Sequence, residues 1–198
     1  KCHRLKLLRS QNKQKHPNWH NAPVNSNGDI YGNLLIVGLA PGLKGANRTG
    51  IPFTGDHSGD LLFDILAKFD FIRNKNHSNT SMMNLNNCRI TNAVRCLPPA
   101  NKPIQSEIKN CSIFLRNEID AMKNLQCILA LGKVAHDAII SVFGGTKSQY
   151  KFGHNNQYNF SNIKLIDSYH CSRYNLNTRR LTVDMFSKVF QEIAINLD

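Results

Sequence analysis

The sequence predicts an α/β fold built as a single domain, in which a parallel sheet is flanked by helices. Short apolar runs typical of buried strands alternate with segments whose apolar residues recur at helical spacing. Strand and helix follow each other along the whole chain, and this order implies parallel strands with helices on both faces of the sheet. At 198 residues, the chain can bury a core without needing a second domain.

The predicted elements follow in order from the first strand at residues 33–39. That strand runs through a glycine-rich loop into a helix at residues 58–68, whose first turn can be capped by Ser58 or Asp56. The other strands are predicted at residues 88–94, 127–131 and 163–168, and the other helices at residues 106–125, 133–143 and 183–196. The polar segments are an N-terminal arm at residues 5–29, an insertion at residues 74–87 that we expect to be mobile, and a loose region at residues 144–162.

Composition favours a polyanionic partner. Lysine and arginine number 25 against 13 acidic residues, a net charge of +12 that suits nucleic acid. No run of eighteen apolar residues and no leader pattern occur, so we expect a cytoplasmic protein that does not bind membranes. We also expect a monomer that is associated with the nucleoid through DNA. Six cysteines in a cytoplasmic chain indicate core thiols, metal ligands or reactive groups rather than disulfides.

The glycine-rich stretch at residues 38–60 lies between a strand and a helix, where α/β proteins bind ligands. It lacks both the spacing of a dinucleotide fingerprint and the GK[ST] ending of a phosphate-binding loop. Unusual side chains also follow two later strands, in the loops at residues 92–103 and 170–180. Because parallel strands end at the same edge of a sheet, we expect these three loops to form one cleft.

Three segments carry a specific resemblance: GLAPGLKGANRTGIPFTGD, TNAVRCLPPANKP and DSYHCSRYNLNTRRLT. They resemble the signature regions of the family 5, or type b, uracil-DNA glycosylases, within the uracil-DNA glycosylase superfamily. The resemblance implies an α/β fold with a central four-stranded parallel sheet. It also implies a DNA repair hydrolase that flips uracil out of DNA and cleaves its N-glycosidic bond to leave an abasic site.

The resemblance assigns two catalytic residues, Asp56 and His170, and three uracil-binding residues, Ala40, Phe53 and Asn92. Phe53 would stack on the flipped base, and Asn92 would donate to uracil O4 and accept from N3–H, a pattern opposite to that of cytosine. His170 would donate to uracil O2, where negative charge develops. Asp56 would orient the attacking water or stabilise the sugar cation, although a helix cap is its alternative role.

The DNA-binding residues implied by the resemblance lie in the first and last loops: Asn47, Arg48, Ser172, Arg173, Asn175 and Arg180. We expect Arg173 and Arg180 to meet phosphates, and Leu176 or Tyr174 to fill the space that the flipped base leaves. The last loop departs from many relatives at Cys171, Leu176 and Arg179. These departures affect the expected stiffness of the loop and its fit to the groove, but not the catalytic histidine.

The resemblance further implies a four-iron, four-sulfur cluster held by Cys2, Cys96 and Cys111, with the fourth ligand expected two residues before Lys1. Residues 1–30 would then form an arm that carries part of this site. Zinc is an alternative occupant for such cysteines. Cys88 and Cys127 lie in apolar strands and are expected to be core thiols.

Two functions from different classes are compatible with these features. The first is a glycosylase acting on uracil in DNA, with a pocket broad enough for other deaminated bases such as hypoxanthine. The second is a basic iron–sulfur module that binds nucleic acid without catalysis. The presence of His170, Asp56 and Asn92 together favours the glycosylase.

Overall fold

A computed structural model describes residues 2–73 and 84–197 of the chain. The helices are α1 (His3–Lys15), α2 (Ala46–Thr49), α3 (His57–Lys68), α4 (Gln105–Ala121), α5 (Lys133–Val142), α6 (Arg173–Asn177) and α7 (Val183–Ile195), with a 3-10 turn at Pro99–Asn101. The strands are β1 (Asn27–Gly28), β2 (Leu34–Gly38), β3 (Cys88–Asn92), β4 (Cys127–Leu131), β5 (Gln157–Phe160) and β6 (Ile163–Ser168).

The strands form one mixed sheet in the order β1-β3-β2-β4-β6-β5. The four central strands are parallel, which confirms the four predicted strands and their direction. The short edge strands β1 and β5 pair antiparallel and were not predicted, so the sheet has six strands rather than four. Because the central strands are parallel, β2, β3, β4 and β6 all deliver their carboxyl ends to the same edge.

Alternate residues of β2 face opposite layers of helices, as the two-residue period of a strand requires. Leu34 and Ile36 pack in a core with side chains of α3 and α7, including the fully buried Phe186. Leu35 and Val37 pack in a second core with side chains of α4 and α5. These two layers confirm the predicted helices on both faces of the sheet.

The N-terminal arm differs from its prediction because residues 3–15 form a regular helix, α1. Its sequence shows almost no amphipathic pattern, and its buried residues are Leu5 and Asn12. Polar contacts hold it instead: the Arg4 guanidinium forms an ion pair with the carboxylate of Glu107 at 2.7 Å. Of the predicted mobile insertion at residues 74–87, residues 74–83 lie outside the described part of the chain.

A buried ion pair joins α5 to β6. The Nδ1 atom of His136 lies 2.8 Å from a carboxylate oxygen of Asp167, and both side chains are fully buried. The other ring nitrogen, Nε2, lies 3.0 Å from the carbonyl oxygen of Tyr150 and donates to it. Asp167 and its hydrogen bonds raise the pKa of His136, although burial of the imidazole opposes this. The pair therefore ties the strand that leads to His170 to the helix layer.

Among the described residues, no helix is both long enough and apolar enough to cross a membrane.

Candidate active site

A cavity of about 430 Å³ opens at the carboxyl ends of the parallel strands, where the three unusual loops meet. Its walls come from the glycine-rich loop, the end of β3, the turn after β4 and the segment after β6. The residues lining it are Leu39, Ala40, Pro41, Gly42, Ala46, Phe53, Asp56, Ser58, Asn92, Asn101, Leu131, Gly132, Lys133, Val134, His170 and Ser172. All five residues predicted for catalysis or uracil binding are therefore brought together.

The Phe53 ring forms an apolar wall of the cavity and depends on two glycines. Phe53 is 7% exposed and has a φ of 58°, a left-handed backbone rarely adopted by a bulky residue. A Cβ on Gly38 would lie 2.6 Å from the Phe53 ring, and a Cβ on Gly59 would clash with the Phe53 carbonyl oxygen. Both glycines therefore allow this ring to pack against the end of β2.

Asn92 is the last residue of β3 and pairs in register with Gly38 of β2. Its side chain is 6% exposed and lines the cavity, with Oδ1 only 2.5 Å from the position that a Gly38 Cβ would take. Neighbouring side chains in the described part of the chain leave its amide without a hydrogen bond. Because buried amides are normally satisfied, this free donor and acceptor are available to a ligand.

Asp56 caps α3 and also borders the cavity, a position compatible with both of the roles that its sequence context allows. One carboxylate oxygen, Oδ1, accepts from the backbone N–H groups of Ser58 and Gly59 at 3.1 Å and 3.2 Å, and so caps α3. The side chain is half-buried and also lines the cavity, with Oδ2 turned toward Gly42 and Gly45. One oxygen therefore stabilises the helix while the other stands beside the cavity.

His170 lies two residues beyond β6, and its ring faces that of Phe53. The ring centroids are 6.1 Å apart with an interplanar angle of 22°. Burial lowers the pKa of His170, and the negative charge of Asp56 only partly opposes that effect. The imidazole is therefore neutral at neutral pH and carries one N–H that it can donate.

The backbone of His170 is fixed by Asn175, which was predicted to contact DNA. The Asn175 Nδ2 atom donates to the His170 carbonyl oxygen at 2.8 Å, while its carbonyl oxygen accepts from Leu181 N–H at 3.1 Å. Ser172 accepts from the Asn175 N–H at 3.4 Å and caps α6. The amide of Asn175 thus points toward the end of β6 and holds the segment that carries His170 in its turn.

The other predicted DNA contacts divide by exposure. Arg48, Arg173 and Arg180 are exposed, and the Arg180 guanidinium lies 4.7 Å from the centre of the Tyr169 ring. Asn47 is only 2% exposed and its Nδ2 atom donates to Asn21 Oδ1 at 3.0 Å, so this structure does not support a direct DNA contact by Asn47. Tyr174 is 72% exposed on α6, whereas Leu176 is half-buried.

Sequence reasoning missed a fourth wall of the cavity, the turn at residues 131–134 that joins β4 to α5. Gly132 in this turn has a φ of 94°, and a Cβ on it would lie 3.4 Å from His170 Cβ. The signal was available, since Gly132 directly follows a strand whose five residues are all buried. Asn101, in the 3-10 turn, also lines the cavity and was not predicted.

The three cysteines predicted as cluster ligands lie in one small cluster with Leu5 and Val94. Burial raises the pKa of both Cys96 and Cys111, and the neighbouring cysteines raise each further. An Arg9 nitrogen lies 3.5 Å from the Cys96 sulfur and opposes the increase there. Within residues 2–73 and 84–197, no three His, Cys, Asp or Glu side chains are arranged as ligands of a metal ion.

The remaining cysteines behave as core groups. Burial raises the pKa of Cys88, Cys127 and Cys171 to about 12 in each case. The Cys171 thiol donates to the carbonyl oxygen of Ser58 at 3.4 Å, and so links the segment after β6 to the start of α3. All three thiols therefore remain protonated at neutral pH.

The chain matches the model of the Uracil DNA glycosylase superfamily over residues 26–194. It is 38% identical over 171 residues to a type-5 uracil-DNA glycosylase of Thermus thermophilus, covering 86% of this chain and 78% of that protein. It is 36% identical over 200 residues to a type-5 uracil-DNA glycosylase of Pyrobaculum aerophilum, covering 98% and 87%. A type-4 uracil-DNA glycosylase of Pyrobaculum aerophilum is 30% identical over 61% of this chain and 55% of its own length.

Proposed function

The chain belongs to the uracil-DNA glycosylase superfamily, and on that basis we propose that it removes uracil from DNA by hydrolysing the N-glycosidic bond. One observation carries the proposal: the free amide of Asn92, the imidazole of His170 and the ring of Phe53 share one cavity of about 430 Å³. A cavity of this kind admits a flipped base but not a stacked base pair. The proposed partner is DNA that contains a deaminated base, bound by a monomer.

Recognition of the base rests on Phe53 and Asn92. Stacking of uracil on the Phe53 ring would contribute about 1–3 kcal/mol. The Asn92 amide would donate to uracil O4 and accept from N3–H, a pairing worth about 1–3 kcal/mol against the wrong base. Cytosine presents a donor and an acceptor in the opposite places, so the same amide rejects it.

Catalysis rests on His170 and Asp56. Breaking the bond between N1 and C1′ leaves negative charge on uracil and positive charge on the sugar. The neutral imidazole of His170 would donate its N–H to uracil O2 as that charge develops. The Asp56 oxygen beside the cavity would stabilise the sugar cation and orient the water whose oxygen bonds to C1′, and the departing base gains a proton.

We extend the proposal to other deaminated bases such as hypoxanthine. The wall near the base is formed in part by Ala40 and Pro41, which offer no side-chain donor or acceptor that would exclude a larger purine. Discrimination then depends chiefly on Asn92. Hypoxanthine resembles uracil in presenting a carbonyl oxygen beside a ring N–H, which the same amide can pair with.

We also propose that Cys2, Cys96 and Cys111 are ligands of an iron–sulfur cluster. The three cysteines lie in one cluster, and the Arg9 guanidinium beside Cys96 would stabilise the negative charge of thiolate ligands. When bound, the cluster would pin α1 to the segment after β3, and uracil hydrolysis itself needs no electron transfer. Iron analysis and the visible absorbance of purified protein test this, and zinc in place of iron would favour the alternative site.

The experiment that tests the glycosylase uses labelled duplexes with a single uracil, hypoxanthine or thymine opposite guanine. After incubation, alkali converts abasic sites into strand breaks. We expect breaks at uracil and, more slowly, at hypoxanthine. His170→Ala should lower the rate about a hundred- to a thousandfold with little change in DNA affinity.

The control is Cys88→Ala, which alters a buried thiol away from the cavity. Tight binding of every duplex with no break at uracil would refute the glycosylase and favour a nucleic-acid-binding module without catalysis. Size-exclusion chromatography with light scattering tests the monomer.

A further inference from the structure

Helix α1 is strongly basic and carries no acidic residue. Its thirteen residues include Arg4, Lys6, Arg9, Lys13 and Lys15. Arg4 is paired with Glu107, but no carboxylate within the described ranges forms an ion pair with the other four. Such a helix presents uncompensated positive charge at the surface.

Three of these cations lie along one side of the helix. Lys6, Arg9 and Lys13 are spaced i, i+3 and i+7, which places them on one face, here called the α1 stripe. Lys6 and Lys13 are exposed, whereas Arg9 is half-buried beside Cys96. The stripe is about 10 Å long at 1.5 Å of rise per residue.

The first part of α1 is fastened directly behind the cavity wall. Leu5 is buried in the same small cluster as Ala40, Cys96 and Cys111. Ala40 also lines the cavity. The buried face of α1 therefore packs behind Ala40, and the α1 stripe lies beside that face.

The chain after α1 is fastened to the same loop. His20 N–H donates to the Arg48 carbonyl and Asn21 N–H to the Asn47 carbonyl, both at 3.0 Å. Asn47 N–H in turn donates at 3.1 Å to the carbonyl of Gly42, which lines the cavity. The first turn of α1 and the segment that follows the helix are thus both attached to the glycine-rich loop, so the α1 stripe belongs to the same side of the molecule as that wall of the cavity.

We propose that the α1 stripe binds backbone phosphates of duplex DNA beside the nucleotide that is flipped into the cavity. The inference rests on the proposed function for the identity of the DNA, and adds a surface that the last loop does not supply. Lysines without carboxylate partners gain most from phosphates, because they release the counterions condensed on DNA without first breaking an ion pair. Phosphate contacts position the duplex and do not read its sequence.

The test measures the affinity of the whole protein for a uracil-free duplex at several salt concentrations. The variant is Lys6→Gln with Lys13→Gln. The matched control is Lys123→Gln with Lys188→Gln, which removes the same two charges from the segment before β4 and from α7. We expect the slope of log K against log salt to become shallower by about 1.8 in the variant, since each phosphate contact contributes about 0.9.

Two outcomes of the salt titration decide the proposal, and a separate excision measurement tests the glycosylase. The proposal would be overturned if the slope of log K against log salt were the same in the variant and in the control. A shallower slope in the variant, restored by Lys6→Arg with Lys13→Arg, would support it, provided that thermal unfolding shows α1 still packed. Uracil excision is measured separately at saturating DNA: a wild-type protein that fails to excise uracil refutes the glycosylase, while the salt slopes still decide the α1 stripe.

Discussion

Replacing Gly38 by alanine should damage base recognition without direct contact between the new side chain and DNA. Gly38 ends β2 opposite Asn92. A Cβ at this position would lie 2.5 Å from Asn92 Oδ1 and 2.6 Å from the Phe53 ring. Both distances are far below normal contact, so both side chains must shift.

The direction in which the Phe53 ring moves determines how much activity is lost. Phe53 belongs to the core packed against α3, and Gly59 lies against its carbonyl, so the ring is displaced toward the cavity. Losing the stack would remove about 1–3 kcal/mol, and misaligning the Asn92 amide would remove about 1–3 kcal/mol. Together these losses lower kcat/KM for uracil by roughly thirtyfold at least, and by more than a thousandfold when both are complete.

The assay compares single-turnover excision of uracil by wild type, Gly38→Ala and Gly144→Ala. Gly144 is the control because a Cβ there meets nothing within 4 Å, so that its left-handed φ of 76° makes Gly144→Ala report backbone strain alone, away from the cavity. Gly38→Ala should keep a cooperative unfolding transition, because its clashes involve side chains at the cavity. A Gly38→Ala enzyme within about threefold of wild type, a difference below 1 kcal/mol, would refute the assignment of Phe53 and Asn92 as the base-recognition pair.

Three further predictions follow from contacts in the structure. Asn175→Ala should reduce uracil excision about three- to tenfold at unchanged DNA affinity, because it removes a hydrogen bond to the His170 carbonyl worth about 0.5–1.5 kcal/mol. Asn177→Ala is the control. A loss of DNA affinity as large as the loss of excision would make Asn175 a DNA contact instead. His136→Ala should lower the free energy of unfolding by about 3–5 kcal/mol, because the carboxylate of Asp167 stays buried without its partner. Replacing both residues, as His136→Phe with Asp167→Ala, should leave the free energy of unfolding close to that of wild type in urea titrations. Equal losses in the single and the double variant would contradict the pairing argument. The pKa of His170 is lowered in the folded state, so below about pH 6.5 the unfolded state binds more protons than the folded state. The free energy of unfolding should therefore decrease as pH falls through this range, and decrease less steeply in His170→Gln. Thermal midpoints that follow the same pH profile in both proteins would contradict this sign.

The centre of the sheet could be predicted because β2 and β4 are short runs without a polar side chain. Residues 127–131 are all buried, and such a run indicates a strand enclosed by helices. The edge strands could not, because β1 has only two residues and β5 exposes alternate side chains at the rim of the sheet. Helix α1 escaped prediction for a related reason: polar contacts and one buried leucine hold it, so an apolar period is nearly absent.

The chemistry of the cavity was also predictable in part. Strand ends and glycine-rich sequence located Phe53, Asp56, Asn92 and His170 in the loops that do converge. The direction of a polar side chain was not predictable, because it depends on how the backbone folds back. Asn175 points inward because the short helix α6 returns it toward the strand end, and Asn47 is buried because residue 21 packs over it.

The attachment of α1 also has a consequence for the order in which the molecule assembles. Arg4 and Glu107 are separated by 103 residues, and Cys2 and Asn110, which donates to its sulfur, by 108. The segment synthesised early therefore finds its partners only after α4 has left the ribosome, and contacts so distant in sequence form late in folding. The wall behind Ala40 is completed at that moment. Because His170 after β6 also lines the cavity, a complete cavity forms only when most of the chain has been synthesised.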